Sequence, residues 1–379
     1  MKLIHLSDLH LGKRLNEFSL LEDQAYILNE IIGIVARERP DVLLIAGDIY
    51  DKPVPPADAV ELLDDFLVRL SELGVPVVII SGNHDSAERL SFAGRLMESS
   101  HVYIAPAYDG RIHSLTLGDG YGDVTIHMLP FIKPVHVRRF YPDAGVISYT
   151  DAVKCAIDSA GIDMTRRNIL VTHQLVTGSK RCDSEEISIG GSDNVDLAAF
   201  DGFDYVALGH IHGSQSFDGG RMRYCGTPLK YSFSEIDHKK SVTISELGQK
   251  GSLEIREISL IPKRELICLR GSYMEIMSPE FYKDIDRESY VRVILTDEDE
   301  MPDAIGKLRI VYPNIMRMEY DNRRSRAAGA MASAPEMTRT MSPEEVFADL
   351  YRRQNGGDMS GKQAEYISSL IKDIWEDNI

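Results

Sequence analysis

The sequence predicts a layered α/β domain, followed by a smaller α/β unit and a terminal pair of helices. Three observations carry that expectation. Up to Ile80, continuous apolar runs alternate with segments of helical period, as in a sheet covered by helices. Five separate apolar runs end in histidine, aspartate or asparagine. Beyond residue 321 the composition shifts to small residues and arginine before two helix-start signals.

Residues 2–7 read as a first strand ending in Asp8-Leu9-His10. Residues 19–38 carry Leu21, Ala25, Leu28, Ile32 and Val35, steps of four and three that mark one helical face, and Pro40 stops that helix. Val42 to Ala46 is a run of five apolar residues, the pattern of a strand buried on both faces. Gly47 then frees the backbone to present Asp48 at the strand's carboxyl end. After Pro55-Pro56, the residues Val60, Leu63, Leu67 and Leu70 predict a second helix, ended by Gly74. Residues 75–80 form another apolar strand, leading into Ser81-Gly82-Asn83-His84-Asp85.

Further strands are expected at 124–129, at 168–172 before His173, at 205–208 before Gly209-His210-Ile211-His212, and at 242–247 and 253–258. The first domain then closes, giving 1–261. Strands at 266–269, 290–295 and 315–318 with intervening helices predict a small α/β domain over 262–321. Residues 322–341 hold Arg323, Arg324, Arg326 and Arg339 around an alanine-rich run and predict a flexible linker. Ser342-Pro343-Glu344-Glu345 and Ser360-Gly361-Lys362-Gln363 are capping boxes that open two helices within 342–379. The second helix bears a stripe of Tyr366, Ile367, Leu370, Ile371, Ile374 and Trp375, which suits docking on a partner's helices better than folding back.

The bulk numbers bound the function. A chain of 379 residues with 43% hydrophobic residues can bury a large core plus one or two small pieces. A net charge of −17 argues against adhesion to nucleic acid or anionic membrane through the whole surface, though bound cations can reverse the sign locally. Cys155, Cys182, Cys225 and Cys268 form no C-x-x-C pair and read as buried free thiols. Charge at the amino terminus interrupts any signal peptide, and no apolar run approaches the ~20 residues that span a bilayer. A cytoplasmic protein is expected.

Asp8, His10, Asp48, Asn83, His84, His173, His210 and His212 all stand at strand ends. Taken singly, each histidine reads as a hydrogen-bonded structural residue. Taken together they predict one site, because ligands bind outside the carboxyl ends of strands in layered α/β folds. Leaving His84 aside, seven groups are enough for two metal ions, and imidazole and carboxylate donors without thiolate admit manganese, iron or zinc. Two ions suit attack on phosphorus, where charge builds on oxygen. His84 is left to protonate the leaving oxygen or bind a phosphate oxygen, with Asp85 expected to orient it.

Asp8-x-His10, Gly47-Asp48-x-x-Asp51, Gly82-Asn83-His84-Asp85, His173 and Gly209-His210-x-His212, in this order, resemble the motif set of the calcineurin-like metallophosphoesterases over residues 1 to about 215. That resemblance implies a four-layer α/β/β/α sandwich. It also implies Asp8, His10 and His212 around one ion, Asn83, His173 and His210 around the other, and Asp48 between them. Asp48-Ile-Tyr-Asp51 with Pro55-Pro56, His173-Gln174 leading to Ser184-Glu185, and Cys225-Gly-Thr-Pro-Leu-Lys-Tyr-Ser-Phe-Ser234-Glu235 are similar to the SbcD family of bacterial nuclease subunits. The finer resemblance implies a capping domain over 262–321. It further implies manganese-dependent exonuclease and endonuclease action on DNA ends and hairpins in DNA repair, recombination and replication.

That resemblance likewise implies pairing with an SbcC-type coiled-coil ATPase, expected here through 342–379, as a homodimer within a heterotetramer on the nucleoid. Relatives outside bacteria carry histidine where Asp51 stands, so any DNA-orienting role of that histidine does not carry over. Lys13 and Arg14 are the DNA-contact candidates beside the site. Two other readings stand beside the nuclease: a stand-alone phosphomonoesterase or cyclic-nucleotide phosphodiesterase, and a non-enzymatic scaffold. Residues 262–379 speak against the small-molecule enzyme, and the complete ligand set speaks against the scaffold.

Overall fold

The computed structural model describes residues 1–182, 184–185, 193–323, 342–355 and 358–377. Two six-stranded sheets lie face to face. The first runs in the order Leu253–Ser259, Ser241–Leu247, Lys2–Leu6, Val42–Ala46, Val77–Ile80, Val102–Ile104. The second runs Gln215–Phe217, Met222–Tyr224, Tyr205–Gly209, Arg167–His173, Gly122–Leu129, His113–Asp119. The central strands of each are parallel, so their carboxyl ends open on one side.

Alternation along the strands sorts the side chains into layers. Leu43 and Ile45 face the helices Leu21–Glu38 and Ala57–Glu72, whose Ile27, Leu28, Ile31, Leu63 and Phe66 fill the outer core. Val42, Leu44 and Ala46 point the other way and meet Ile126, Ile169, Val171 and Ala207 of the second sheet. Leu170, Val206 and Leu208 turn outward again, onto Ala152, Val153 and Ala156 of the helix Tyr149–Ser159. This is the four-layer α/β/β/α sandwich. Burial on both faces explains why the strands read as unbroken apolar runs.

Two helical faces differ from their sequence reading. Ala25 is exposed, and the buried face of the first helix runs through Gln24, Ile27, Leu28, Ile31, Ile32 and Val35. Val60 is exposed too, and Ala59 and Phe66 take its place beneath the second helix. The thiols also differ from the expectation: all four are free, but only Cys225 is buried and Cys268 is exposed.

The strands Leu266–Gly271, Tyr290–Leu295 and Ile315–Tyr320 form a separate three-stranded parallel sheet with its own core of Leu269, Val291, Val293, Leu308 and Ile315. It abuts the sandwich through Leu266, Tyr290 and Met316, and through Asp23, which accepts from Tyr290 Oη at 2.6 Å and Arg264 Nη1 at 2.9 Å. In the terminal helices Pro343–Asn355 and Gly361–Asp377 both capping boxes form: Ser342 N donates to Glu345 Oε2 at 2.7 Å, and Ser360 N to Gln363 Oε1 at 2.9 Å. Arg324, Arg326 and Arg339 of the expected linker, and the side chains of Ile374 and Trp375, lie outside the described residues. Among the described residues, no helix is long and apolar enough to cross a membrane.

Candidate metal centre

The strand ends meet because their loops are laced together by backbone hydrogen bonds. Asp8 N donates to Gly47 O at 3.0 Å, His10 N to Asp48 O at 3.0 Å and Leu11 N to Ile49 O at 2.9 Å. Asp8, His10, Asp48 and His210 all hold positive φ, at 53°, 44°, 49° and 105°. For residues other than glycine such backbones cost about 1–3 kcal/mol each and persist only where the surroundings enforce them. Close packing is part of the enforcement. A β-carbon on Gly47 would lie 2.4 Å from His173 Nδ1, and one on Gly209 would lie 1.8 Å from Ala46 O.

All seven expected ligands converge. Asp8, His10 and His212 offer donor atoms within 4.8 Å of one another, as do Asp8, Asp48 and His173. His10 Nε2 stands 3.2 Å from His212 Nε2 and 3.6 Å from Asp48 Oδ2. Asn83 Oδ1 lies 3.0 Å from His173 Nε2 and 2.9 Å from His210 Nδ1, with Asp48 Oδ2 3.3 Å from His173. Hydrogen bonds behind the rings fix which nitrogen faces inward. His173 Nδ1 is 2.8 Å from Ala46 O, so it carries the proton and turns the Nε2 lone pair to the centre. The donors fit a pair of divalent ions: buried imidazole nitrogens face carboxylate and amide oxygens, and no lysine or arginine occupies the middle of the described cluster.

The electrostatics point the same way. Burial opposes ionisation of Asp48, yet His173, His10 and His84 hold its carboxyl well below the usual range. Burial opposes charge on His173, but Asp48 and Asp8 outweigh it and push His173 up to about 9. Burial, with the charge on Asp48, raises Asp8 to about 6. Burial and the positive His173 lower His210 to about 3. Metal must therefore displace a proton from His173 below about pH 9, and from Asp8 as well below about pH 6. Affinity is expected to fall about tenfold per pH unit across the first window, and more steeply in the second. Calorimetry in two buffers of unlike ionisation heat checks it; heats independent of buffer at pH 7 would contradict it.

Two assignments change. Asp85 does not orient His84 through its carboxylate. Its two oxygens accept from the backbone N–H groups of Ile49, Tyr50 and Gly82 at 2.9–3.1 Å, clamping the Asp48 loop to the Asn83 loop. His84 Nδ1 instead lies 3.0 Å from the carbonyl oxygen of Asp51, while its backbone N–H donates to Asp48 Oδ1 at 2.9 Å. Lys13 is not a free basic contact, because its Nζ pairs with Asp51 Oδ1 at 2.7 Å. Arg14 is exposed and donates to the Glu17 carbonyl.

Sequence reasoning gave no role to the groups behind His212. Glu235 Oε1 lies 3.2 Å from His212 Nδ1, and its other oxygen takes Lys240 Nζ at 2.5 Å. Glu185 Oε1 accepts from His212 N at 2.8 Å. A carboxylate behind a ligating imidazole fixes its tautomer and orientation. Burial opposes the charge on Glu235, but His212 and Lys240 hold its carboxyl down near 2. The available signal was the stretch Ser184-Glu185 and Ser234-Glu235, which stood out by resemblance alone.

Residues 1–214 match the family model described as calcineurin-like phosphoesterase, and residues 262–355 match one described as type 5 capsule protein repressor C-terminal domain. The protein named as the D subunit of nuclease SbcCD in Staphylococcus epidermidis is 32% identical over 381 residues, covering 99% of each chain. Its namesake in Staphylococcus saprophyticus is 35% identical over 322 residues, covering 84% of each. A solved dimetal phosphatase from Danio rerio is similar at TM-score 0.40 and 13% identity, over 69% of this chain and 96% of that one. With its first 214 residues matched to one family and its near-full length aligned to these relatives, the chain belongs to the calcineurin-like phosphoesterases and, among them, to the SbcD group.

Proposed function

We propose that the chain is the nuclease subunit of an SbcCD-type complex, cutting DNA ends and hairpins during repair, recombination and replication. As an SbcD-group phosphoesterase it hydrolyses phosphodiester bonds. The observation that carries the reading is the convergence of the seven strand-end ligands in a chain whose relatives, along nearly its full length, are named nuclease subunits. Asp8, His10 and His212 would hold one divalent ion, Asn83, His173 and His210 the other, and Asp48 both. When bound, such ions, proposed as manganese, supply Lewis-acid polarisation and neutralise charge at phosphorus.

The protein's own groups do the rest. Asp48 offsets the repulsion between two dications, and Glu235 holds the His212 ring in its ligating tautomer. His84, anchored through Nδ1, presents Nε2 4.0 Å from Asp48 Oδ2, placed to meet the leaving oxygen or a phosphate oxygen. The division into 1–261, 262–321, 322–341 and 342–379 belongs to the same proposal, supported by the separate core over 269–315. So does the setting, a cytoplasmic, nucleoid-associated homodimer of this chain within a heterotetramer.

The acidic surface leaves DNA affinity to the ions, to a minority of basic groups and to an ATPase partner. Docking of that partner on 342–379 is supported by Phe347, Leu350, Tyr366 and Leu370, which are 38–67% exposed on the two helices. Deleting 342–379 is expected to abolish co-purification with a coiled-coil ATPase while leaving manganese binding intact; retained co-purification would end the docking role. A panel of linear DNA, hairpin DNA and a chromogenic phosphodiester, with manganese and with or without the ATPase, tests the activity. DNA cleavage stimulated by the ATPase is expected. Turnover of the chromogenic ester alone would favour the small-molecule phosphodiesterase.

A further inference from the structure

His173 is held from behind its ring by the Ala46 carbonyl, and His212 by Glu235. His10 has no such anchor. Its Nδ1 is buried without a hydrogen-bond partner among the described residues, and the nearest carboxylate, Asp51 Oδ1, stands 3.8 Å away and pairs with Lys13. His10 also carries a left-handed backbone, φ 44°, which persists only where the surroundings enforce it. The enforcement comes from the helix Leu21–Glu38. Gln24, 1% exposed, reaches from the first turn of that helix into the loop after the strand Lys2–Leu6. Its Nε2 donates to the His10 carbonyl at 2.7 Å and to Tyr231 Oη at 3.1 Å, and its Oε1 accepts from Gly12 N at 3.0 Å. Tyr231 in turn donates to the Leu9 carbonyl and sets its ring edge-on to that of His10, centroids 5.6 Å apart. Only one orientation of the amide satisfies these contacts. Turned over, its oxygen would face the His10 carbonyl and its NH2 the Gly12 N–H, and neither pair can bond.

We propose that Gln24 is a positioning residue, which fixes the backbone of His10 and the aromatic wall behind its ring and so sets how well His10 can serve a metal ion. The metal half rests on the ligand role proposed above for His10; the restraint on the loop does not. Glutamine suits the task because a neutral amide offers two donors and an acceptor at once. A carboxylate here would set an oxygen against the His10 carbonyl. An apolar side chain would leave the Gly12 N–H without its partner and the His10 carbonyl with one donor fewer. The neighbouring Asp23 serves the other side of the same turn, accepting from Tyr290 Oη at 2.6 Å and Arg264 Nη1 at 2.9 Å. It therefore supplies a control that loosens the turn without touching the His10 loop.

The test uses the full chain as Gln24→Met, Tyr290→Phe and His10→Ala. In the metal-free protein, amide hydrogen exchange over residues 9–13 is expected to speed up in Gln24→Met, while the strand Val42–Ala46 keeps its wild-type protection. Manganese titration followed by electron paramagnetic resonance is expected to show affinity about tenfold lower or more in Gln24→Met, the scale on which losing an outer partner acts. Tyr290→Phe is expected to lower the unfolding temperature and leave manganese affinity unchanged. Unchanged exchange in Gln24→Met overturns the restraint. Wild-type manganese affinity in Gln24→Met overturns the positioning role, as does an equal loss in Tyr290→Phe, since general loosening of the helix would then suffice. Should Gln24→Met not fold, Tyr231→Phe keeps the ring and removes one partner of Gln24; it is expected to move both readouts the same way, and unchanged values overturn the proposal. Wild-type affinity in His10→Ala overturns the ligand role of His10, and exchange over 9–13 then decides the restraint alone.

Discussion

Asp48→Ala is expected to abolish DNA cleavage and metal binding together. The carboxylate stands 3.3 Å from His173 and 3.6 Å from His10, and it also accepts the His84 backbone N–H at 2.9 Å. Removing it leaves the two halves of the ligand set without the anion they share, and frees the loop that carries His84. A loss of manganese-dependent cleavage of about a thousandfold or more is expected, as for groups that act as a unit. Manganese stoichiometry by equilibrium dialysis should fall in parallel. Full metal occupancy in an inactive Asp48→Ala would mean the carboxylate acts on substrate, not as the shared ligand. Asp48→Asn offers a milder check, keeping the hydrogen bond to His84 N while removing the charge.

The second large effect separates chemistry from metal. His84→Ala is expected to lower cleavage about a hundred- to ten-thousandfold, the usual contribution of a positioned proton-transfer group, with metal content unchanged. The ring's anchor, the Asp51 carbonyl, lies outside the ligand set, so deleting the ring leaves the seven ligands in place. A substrate with an activated leaving group distinguishes the two jobs open to Nε2. Rescue by such a leaving group indicates proton donation, and an equal loss on both substrates indicates phosphate binding. Near-normal hairpin cleavage by His84→Ala would remove His84 from the reaction.

The converging residues were legible because five apolar runs end in them, so local pattern alone placed them at strand ends. Burial on both faces, visible as the continuous Val42–Ala46 run, also announced the layers. Their partners were not legible in the same way. Asp85 is adjacent to His84 in the chain, yet its carboxylate serves amides at 49, 50 and 82, donors that only the folded loops bring near. Glu235 lies 23 residues from His212, and nothing local marks it as that ring's anchor. The strands Val102–Ile104, Gln215–Phe217 and Met222–Tyr224 are too short to show a period. The helix Tyr149–Ser159 was legible and passed over: Ser148 and Asp151 make the capping box that S-x-x-D announces.

Position 51 carries a consequence for how the active site can diversify. His84 is steered by the carbonyl of Asp51, an atom every amino acid possesses, whereas the Asp51 side chain is occupied with Lys13. The side chain can therefore be exchanged without forfeiting that alignment of His84, although the same carboxylate also stands 3.8 Å from His10 Nδ1. Exchange at position 51 is therefore expected to act through Lys13 and His10, and not through the anchor of His84.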